Sequence, residues 1–346
     1  MSAAGIGGQL FSFPSISVFF LFLRFFVPLY LSKNLFMRLA TAFFKLVRLP
    51  NLFFIALTQV LFQFCIYYPL YREVVPSNDL LHFIYLVLAS LLIAAAGYII
   101  NDYFDINIDE INKPDKMVVD KLIHRRWAIA WHFILSFSGL VFTILALPFL
   151  QKWYLIIANV LCMALLWFYS TNFKKSLLIG NIVISLLTAW TILVIFFSKV
   201  AVGNAFELGN HAQPKFFRLA FLYAGFAFIC SLIREAIKDI EDIKGDERYG
   251  SHSMPIAWGI NASKVYIAVW MIVLMAILLT LLIYVLQFRW WELVAYGLLA
   301  IVLPLLLMFR RLFKANTAQD YHRLSNWMKL VMLSGILSMI FFYFYL

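Results

Sequence analysis

Long apolar runs alternate with short polar connections along the chain, and that rhythm predicts its elements. A helix satisfies its own backbone hydrogen bonds, so runs of roughly 20 apolar residues read as membrane-crossing helices. Spans are expected near 43–69, 80–101, 127–149, 153–171, 177–198, 216–236, 262–287, 291–309 and 325–345. The connections are brief: REVVPSND after the first span, FRW after the seventh, RRLFKANTAQDYHR after the eighth. The predicted fold class is all-α, a polytopic membrane protein with a bundle of about nine transmembrane helices.

Composition excludes the soluble alternatives. The 346 residues are 64% hydrophobic and 13% charged, a balance no soluble domain has. A formal net charge of +11 would suggest a nucleic-acid partner in a soluble protein. Here the cations follow the loops, and no nucleic acid is expected. Even-numbered connections carry Lys113, Lys116, Lys121, Arg125 and Arg126, then Lys174 and Lys175, then Lys238, Lys244 and Arg248, then Arg310, Arg311 and Lys314. Odd-numbered ones offer little beyond Arg72, Lys152, Lys215, Arg218 and Arg289. The positive-inside bias therefore assigns the even loops to the cytoplasm of a membrane expected to be the plasma (inner) membrane of a prokaryote. Cys65, Cys162 and Cys230 lie in apolar segments without metal-type spacing, so they read as packing residues.

Residues 1–36 fit this scheme poorly. FPSISVFFLFLRFFVPLYL is apolar, but Arg24 interrupts it and no small-residue cleavage site follows. MRLATAFFKLVRLPNLFF, from Met37, is a natural basic lead into the first span. The expected organisation is a hydrophobic appendage over 1–36 and one membrane domain over 37–346.

Two windows break the apolar monotony. NDYFDINIDEINKPDK, residues 101–116, holds five acids, and ionisable groups in or beside membrane helices are costly enough to mark function. On a continuous helix Asn101, Asp105 and Asp109 (i, i+4, i+8) share a face, Asp102 lies about 100° aside, and Pro114 ends the helix. In REAIKDIEDIKGDERYGSHSMP, residues 234–255, Asp239, Asp242 and Asp246 again share a face, with Gly245 expected to end that helix early. Arg234 and Lys238 flank them. A single acidic loop is ordinarily solvated and sets topology; two matching ones at helical spacing are not ordinary.

Hard oxygen donors without His or Cys favour Mg²⁺ or Ca²⁺. An EF-hand is excluded, because Glu110 stands where that loop needs Gly and Lys116 where it needs Glu. Acids interleaved with Lys and Arg suit a polyphosphate bridged by Mg²⁺, whose octahedron usually keeps places for phosphate.

NDYFDINID resembles the NDxxDxxxD motif of the UbiA superfamily of intramembrane prenyltransferases, and DIKGD (242–246), preceded by Asp239, resembles its DxxxD motif. The resemblance covers about residues 43–346. It implies a bundle around a central cavity with cytoplasmic acidic caps, binding an isoprenyl diphosphate through Mg²⁺. By position, Asn101, Asp102, Asp105 and Asp109 would serve one metal site, and Asp239, Asp242 and Asp246 the other. Asp105, Asp242 and Tyr169 would be catalytic; Arg48, Lys113, Lys174, Lys238 and Ser170 would bind the diphosphate. Tyr169, Ser170 and Lys174 come from YSTNFKK, and Arg48 from VRLPN. INKPDK departs from the pattern, with lysines where relatives often have Arg, so charge would be supplied without a bidentate fork. Trp167 and Trp190 could face an allylic cation, but in a chain 18% aromatic neither is singled out.

The second window most resembles the branch that prenylates geranylgeranylglyceryl phosphate to make ether lipid. A lipophilic aromatic acceptor (naphthoate, hydroxybenzoate or homogentisate) is the alternative. A cation-coupled transporter is the reading from another class, disfavoured because its acids would sit near midplane on broken helices. A non-catalytic lipid-binding protein would need no paired metal clusters.

Overall fold

The computed structural model describes residues 33–71, 75–147, 149–200 and 212–346. Residues 1–32, most of the expected appendage, lie outside them. Among the described residues, nine helices are long and apolar enough to cross a membrane: Leu49–Leu70, Asp79–Phe104, Arg125–Ala146, Lys152–Thr171, Ile179–Lys199, Pro214–Glu241, Ile260–Leu286, Trp291–Leu312 and Ala318–Tyr345. They are the first to ninth spans below.

Most boundaries fall within a few residues of expectation; three differ for local reasons. The first span begins at Leu49, because Arg48 is left-handed (φ 52°) and Pro50 opens the new helix. The residues before it form a separate helix, Lys33–Leu46. The sixth span runs on to Glu241 and so contains Asp239. The ninth starts at Ala318, where a capping box holds its first turn. Thr317 Oγ1 accepts from Asp320 N–H (3.2 Å), and Asp320 Oδ2 accepts from Thr317 N–H (3.1 Å).

Three apolar clusters set the bundle. One joins Ala42, Leu46 and Val47 to Ala96 and Ile99 of the second span and to Val118 and Val119 of the connection that follows, anchoring that connection. A second packs the sixth span on the seventh, eighth and ninth through Ile233, Ile237, Met271, Leu305 and Met328. The third, with Phe62, Phe196 and Phe216 at its centre, closes the end of the bundle away from the acidic windows. Nearby, buried Lys199 pairs with buried Asp79 at 2.7 Å, and Gln63 Nε2 donates to the other Asp79 oxygen at 2.8 Å. The seventh span buries few of its side chains, leaving a surface suited to lipid.

Candidate active site

A cavity of about 1030 Å³ lies between the first, second, fourth, fifth, sixth and ninth spans. Its deep end is lined by side chains such as Trp190, Ile192, Tyr223, Phe226 and Met339, its mouth by the two acidic windows.

Both windows are built the same way. The second span stops at Phe104, Asp105 takes φ −88°, ψ 0°, and a short helix Ile106–Asn112 follows. The sixth stops at Glu241, Asp242 takes φ −93°, ψ 3°, and Ile243–Arg248 follows. This sparsely allowed bridge region often hosts active-site residues. The i→i−4 hydrogen bonds survive each turn: Asp105 N to Asn101 O (3.0 Å), Asp109 N to Asp105 O (2.8 Å), Asp242 N to Lys238 O (2.9 Å). The continuous helix expected through Asn101, Asp105 and Asp109 is therefore bent at Asp105. The bend buries Ile106 against the core while the acids keep the cavity. Gly245 does not end the second cap helix; it lies inside it, under Asn112. Asn112 Nδ2 donates to Asp242 O, and Gly245 N–H donates to Asn112 Oδ1, both at 2.9 Å.

Three cations each hold one acid. Arg48 meets Asp102 at 2.6 Å and also donates to Asn101 Oδ1 at 3.2 Å, its guanidinium over the Tyr98 ring. Lys113 of the first cap meets Asp242 of the second at 2.5 Å. Lys174, after the fourth span, meets Asp105. Burial alone would lower the affinity of Arg48 and Lys174 for their protons, but the charges of Asp102 and Asp105 outweigh it and hold both firmly protonated. Asp109 and Asp246 form no ion pair through their carboxylates among the described residues. Burial pushes each up to about 6; Asp105 adds to this at Asp109 and Asp242 at Asp246, against the pull of Lys174.

Asn101, Asp102, Asp105, Asp109, Asp239, Asp242, Asp246, Arg48, Lys113, Tyr169, Lys174 and Lys238 thus line one cavity. Ser170 does not: its hydroxyl donates to Leu166 O of its own helix at 2.9 Å, and it faces a small side recess. Asp239 accepts from Asn181 Nδ2 at 2.7 Å, and Lys238 turns to Glu235 at 3.1 Å. The donor set is all oxygen and converges on one mouth, which fits Mg²⁺ chemically. Among the described residues no three acids are drawn close enough to enclose an ion, and Lys113 and Lys174 stand against the central aspartates.

Sequence reasoning missed Tyr98, Glu235, Lys329, Asn112 and Asn181. Glu235 and Lys329 did carry a signal, an ionisable group inside an apolar span. The asparagines carried none.

A bundle of membrane-length helices, with paired acidic caps over an apolar cavity, defines a class of intramembrane enzymes acting on ionic head groups with lipid tails. The chain matches the UbiA prenyltransferase family over residues 61–333 and belongs to it; it is an integral membrane protein. It is 29% identical over 258 residues to a digeranylgeranylglyceryl phosphate synthase of Methanosphaera stadtmanae, covering 73% of this chain and 86% of that protein. Several other archaeal proteins of that name are matched over little more than half their length. The fold is similar to a structure from work on digeranylgeranylglyceryl phosphate synthase in membranes, with TM-score 0.54, 23% identity, and 87% of this chain and 99% of that one covered. It is also similar to a UbiA homologue from Archaeoglobus fulgidus bound to DMAPP and Mg²⁺, with TM-score 0.53, 16% identity, and 86% and 98% covered.

Proposed function

We propose that the protein transfers a geranylgeranyl group from its diphosphate to the free hydroxyl of geranylgeranylglyceryl phosphate, at the cytoplasmic face of a prokaryotic plasma membrane. The observation that carries this is the pair of caps, each hinged at an aspartate and joined by Asn112 over a largely apolar cavity. The names of the archaeal relatives support the acceptor, and the Lys and Arg bias of the loops supports the orientation.

Asn101, Asp102, Asp105 and Asp109 would hold Mg²⁺ at one cap, and Asp239, Asp242 and Asp246 at the other. When bound, Mg²⁺ supplies Lewis-acid stabilisation of the departing diphosphate. Arg48, Lys113 and Lys174 exchange their acid partners for diphosphate oxygens, bringing fixed positive charge to the leaving group in a water-poor site. The allylic C–O bond breaks with its electron pair going to the diphosphate. A lone pair of the glycerol hydroxyl forms the new C–O bond, and its proton passes to the released diphosphate. Tyr169, facing the cavity between Lys174 and Glu235, offers its ring to the allylic cation. The apolar walls take the tail and exclude water.

The test is diphosphate release from geranylgeranyl diphosphate with Mg²⁺, supplied with geranylgeranylglyceryl phosphate, 1,4-dihydroxy-2-naphthoate or no acceptor. Release with the glyceryl phosphate alone, abolished in Asp105→Ala and Asp242→Ala, is expected. Release with the naphthoate alone would refute the acceptor assignment while leaving the donor site standing.

A further inference from the structure

Beneath the capped mouth the cavity carries a second concentration of charge, and it is basic. Glu235, buried in the sixth span, accepts from Arg234 Nη1 at 2.7 Å and from Lys238 Nζ at 3.1 Å. Arg234 Nε is buried without a hydrogen-bond partner. Lys329, on the ninth span, faces the same space. Its charged neighbours are Arg234, Lys238, Arg48 and Glu235, and among the described residues its ammonium makes no ion pair or hydrogen bond. Lys329 lies eleven residues inside Ala318–Tyr345 and Arg234 seven residues inside Pro214–Glu241, depths of about 16 Å and about 10 Å at 1.5 Å per residue.

Cations at such depth are expensive unless they serve a ligand or a partner. Arg48, Lys113 and Lys174 each have an acid of their own, so the donor's diphosphate already has its cations. Arg234, Lys238 and Lys329 share one carboxylate, leaving a surplus of two positive charges. A phosphate monoester carries about −1.5 to −2 at neutral pH.

We propose that Arg234, Lys238 and Lys329 form a second anion subsite, oriented by Glu235, that takes the phosphate of the acceptor. This rests on the transferase reading above and moves Lys238 from the donor's ligands to the acceptor's. On a three-carbon glycerol the phosphate and the free hydroxyl are never more than two carbons apart. Holding the phosphate therefore fixes the attacking oxygen relative to the donor's reacting carbon, which is how positioning lowers a bimolecular barrier. An aromatic carboxylate offers one negative charge to the same cations and leaves one of them uncompensated.

The experiment is steady-state kinetics of the full chain in detergent, varying donor and acceptor separately, on wild type, Lys329→Met and Lys329→Arg. Acceptors are geranylgeranylglyceryl phosphate, geranylgeranylglycerol without the phosphate, and 4-hydroxybenzoate. In Lys329→Met the acceptor KM is expected to rise about tenfold or more, with the donor KM within about twofold of wild type. The preference for the phosphorylated over the unphosphorylated acceptor shrinks accordingly, and Lys329→Arg restores most of it. Donor and acceptor KM rising together, or an unchanged acceptor KM in a variant with a wild-type melt, overturns the subsite alone. Should Lys329→Met not fold, wild type still decides the matter. Glycerol phosphate must inhibit competitively against the acceptor; competition against the donor instead overturns the proposal. Turnover with 4-hydroxybenzoate alone overturns both the acceptor reading and the subsite.

Discussion

The side-chain amide of Asn112 bridges the two caps by closing on Gly245, donating to the carbonyl of Asp242 and accepting from the Gly245 N–H. A Cβ added at Gly245 would sit 2.5 Å from the Asn112 amide nitrogen, a distance that forces the amide to shift and give up its bridge between the caps. The metal-binding candidates Asp109 and Asp246 ride on these two short helices, so this contact, together with the Lys113–Asp242 pair, sets the register of the mouth.

Gly245→Ala is therefore expected to lower kcat/KM by about tenfold or more and to raise the Mg²⁺ concentration needed for half-maximal rate. Asn112→Ala removes both hydrogen bonds, at roughly 1–3 kcal/mol for the polar groups left behind. The double variant has no clash left to relieve, so its loss should fall well short of the sum of the two singles. Strict additivity of kcat/KM in that cycle would disprove the bridge.

Acidity at the mouth gives a pH prediction. Asp109 and Asp246 have their pKa raised to about 6. In metal-free protein each contributes stability that is fully present below the ordinary carboxylate range near 4 and is lost as pH rises through about 6. Mg²⁺ must displace those protons, so its apparent affinity should rise steeply between pH 5 and 7. Thermal melts with and without Mg²⁺ read this directly: the Mg²⁺-induced rise in Tm should be much larger at pH 7 than at pH 5. Equal rises at both would count against carboxylate ligation.

Lys199 and Asp79 supply a stability prediction away from the chemistry. Both side chains are under 10% exposed, and removing one partner leaves the other buried and uncompensated. Lys199→Met should cost about 3–5 kcal/mol, and adding Asp79→Leu should recover much of it. Melts of the three variants test this; a double variant less stable than Lys199→Met would be the contrary result.

Tail length should follow the deep wall of the cavity. Trp190 crosses that wall, its Nε1 donating to Asn159 Oδ1 at 3.1 Å. With about 0.8 kcal/mol per buried CH₂ as an upper guide, Trp190→Ala should shift kcat/KM toward a diphosphate one isoprene unit longer by about tenfold. Ala227→Phe, narrowing the same space, should shift it the other way. Competition between two chain lengths in one tube measures both.

The architecture was legible because lipid demands long apolar helices, and length alone nearly fixes their ends. The acidic caps were legible because six aspartates repeat at helical spacing beside such helices. What escaped depended on tertiary geometry. Asp105 and Asp242 turn the chain instead of continuing it, and at Asp105 the turn packs Ile106 into the core. The start of the first span was hidden by a left-handed Arg48, and Ser170 by a hydroxyl that serves its own helix. Lys329 sits in WMKLVML, a string that by itself suggests only a cation reaching for the interface; the Glu235 cluster opposite it comes from another helix.

The aromatic cluster and the Asp79–Lys199 pair close the bundle at the end opposite the caps. Among the described residues, the capped mouth is therefore the side from which an ionic head group reaches the cavity. In the proposed reaction, donor, acceptor and product would then share the leaflet at the capped end. On that proposal, populating the other leaflet would need a separate lipid-flipping activity.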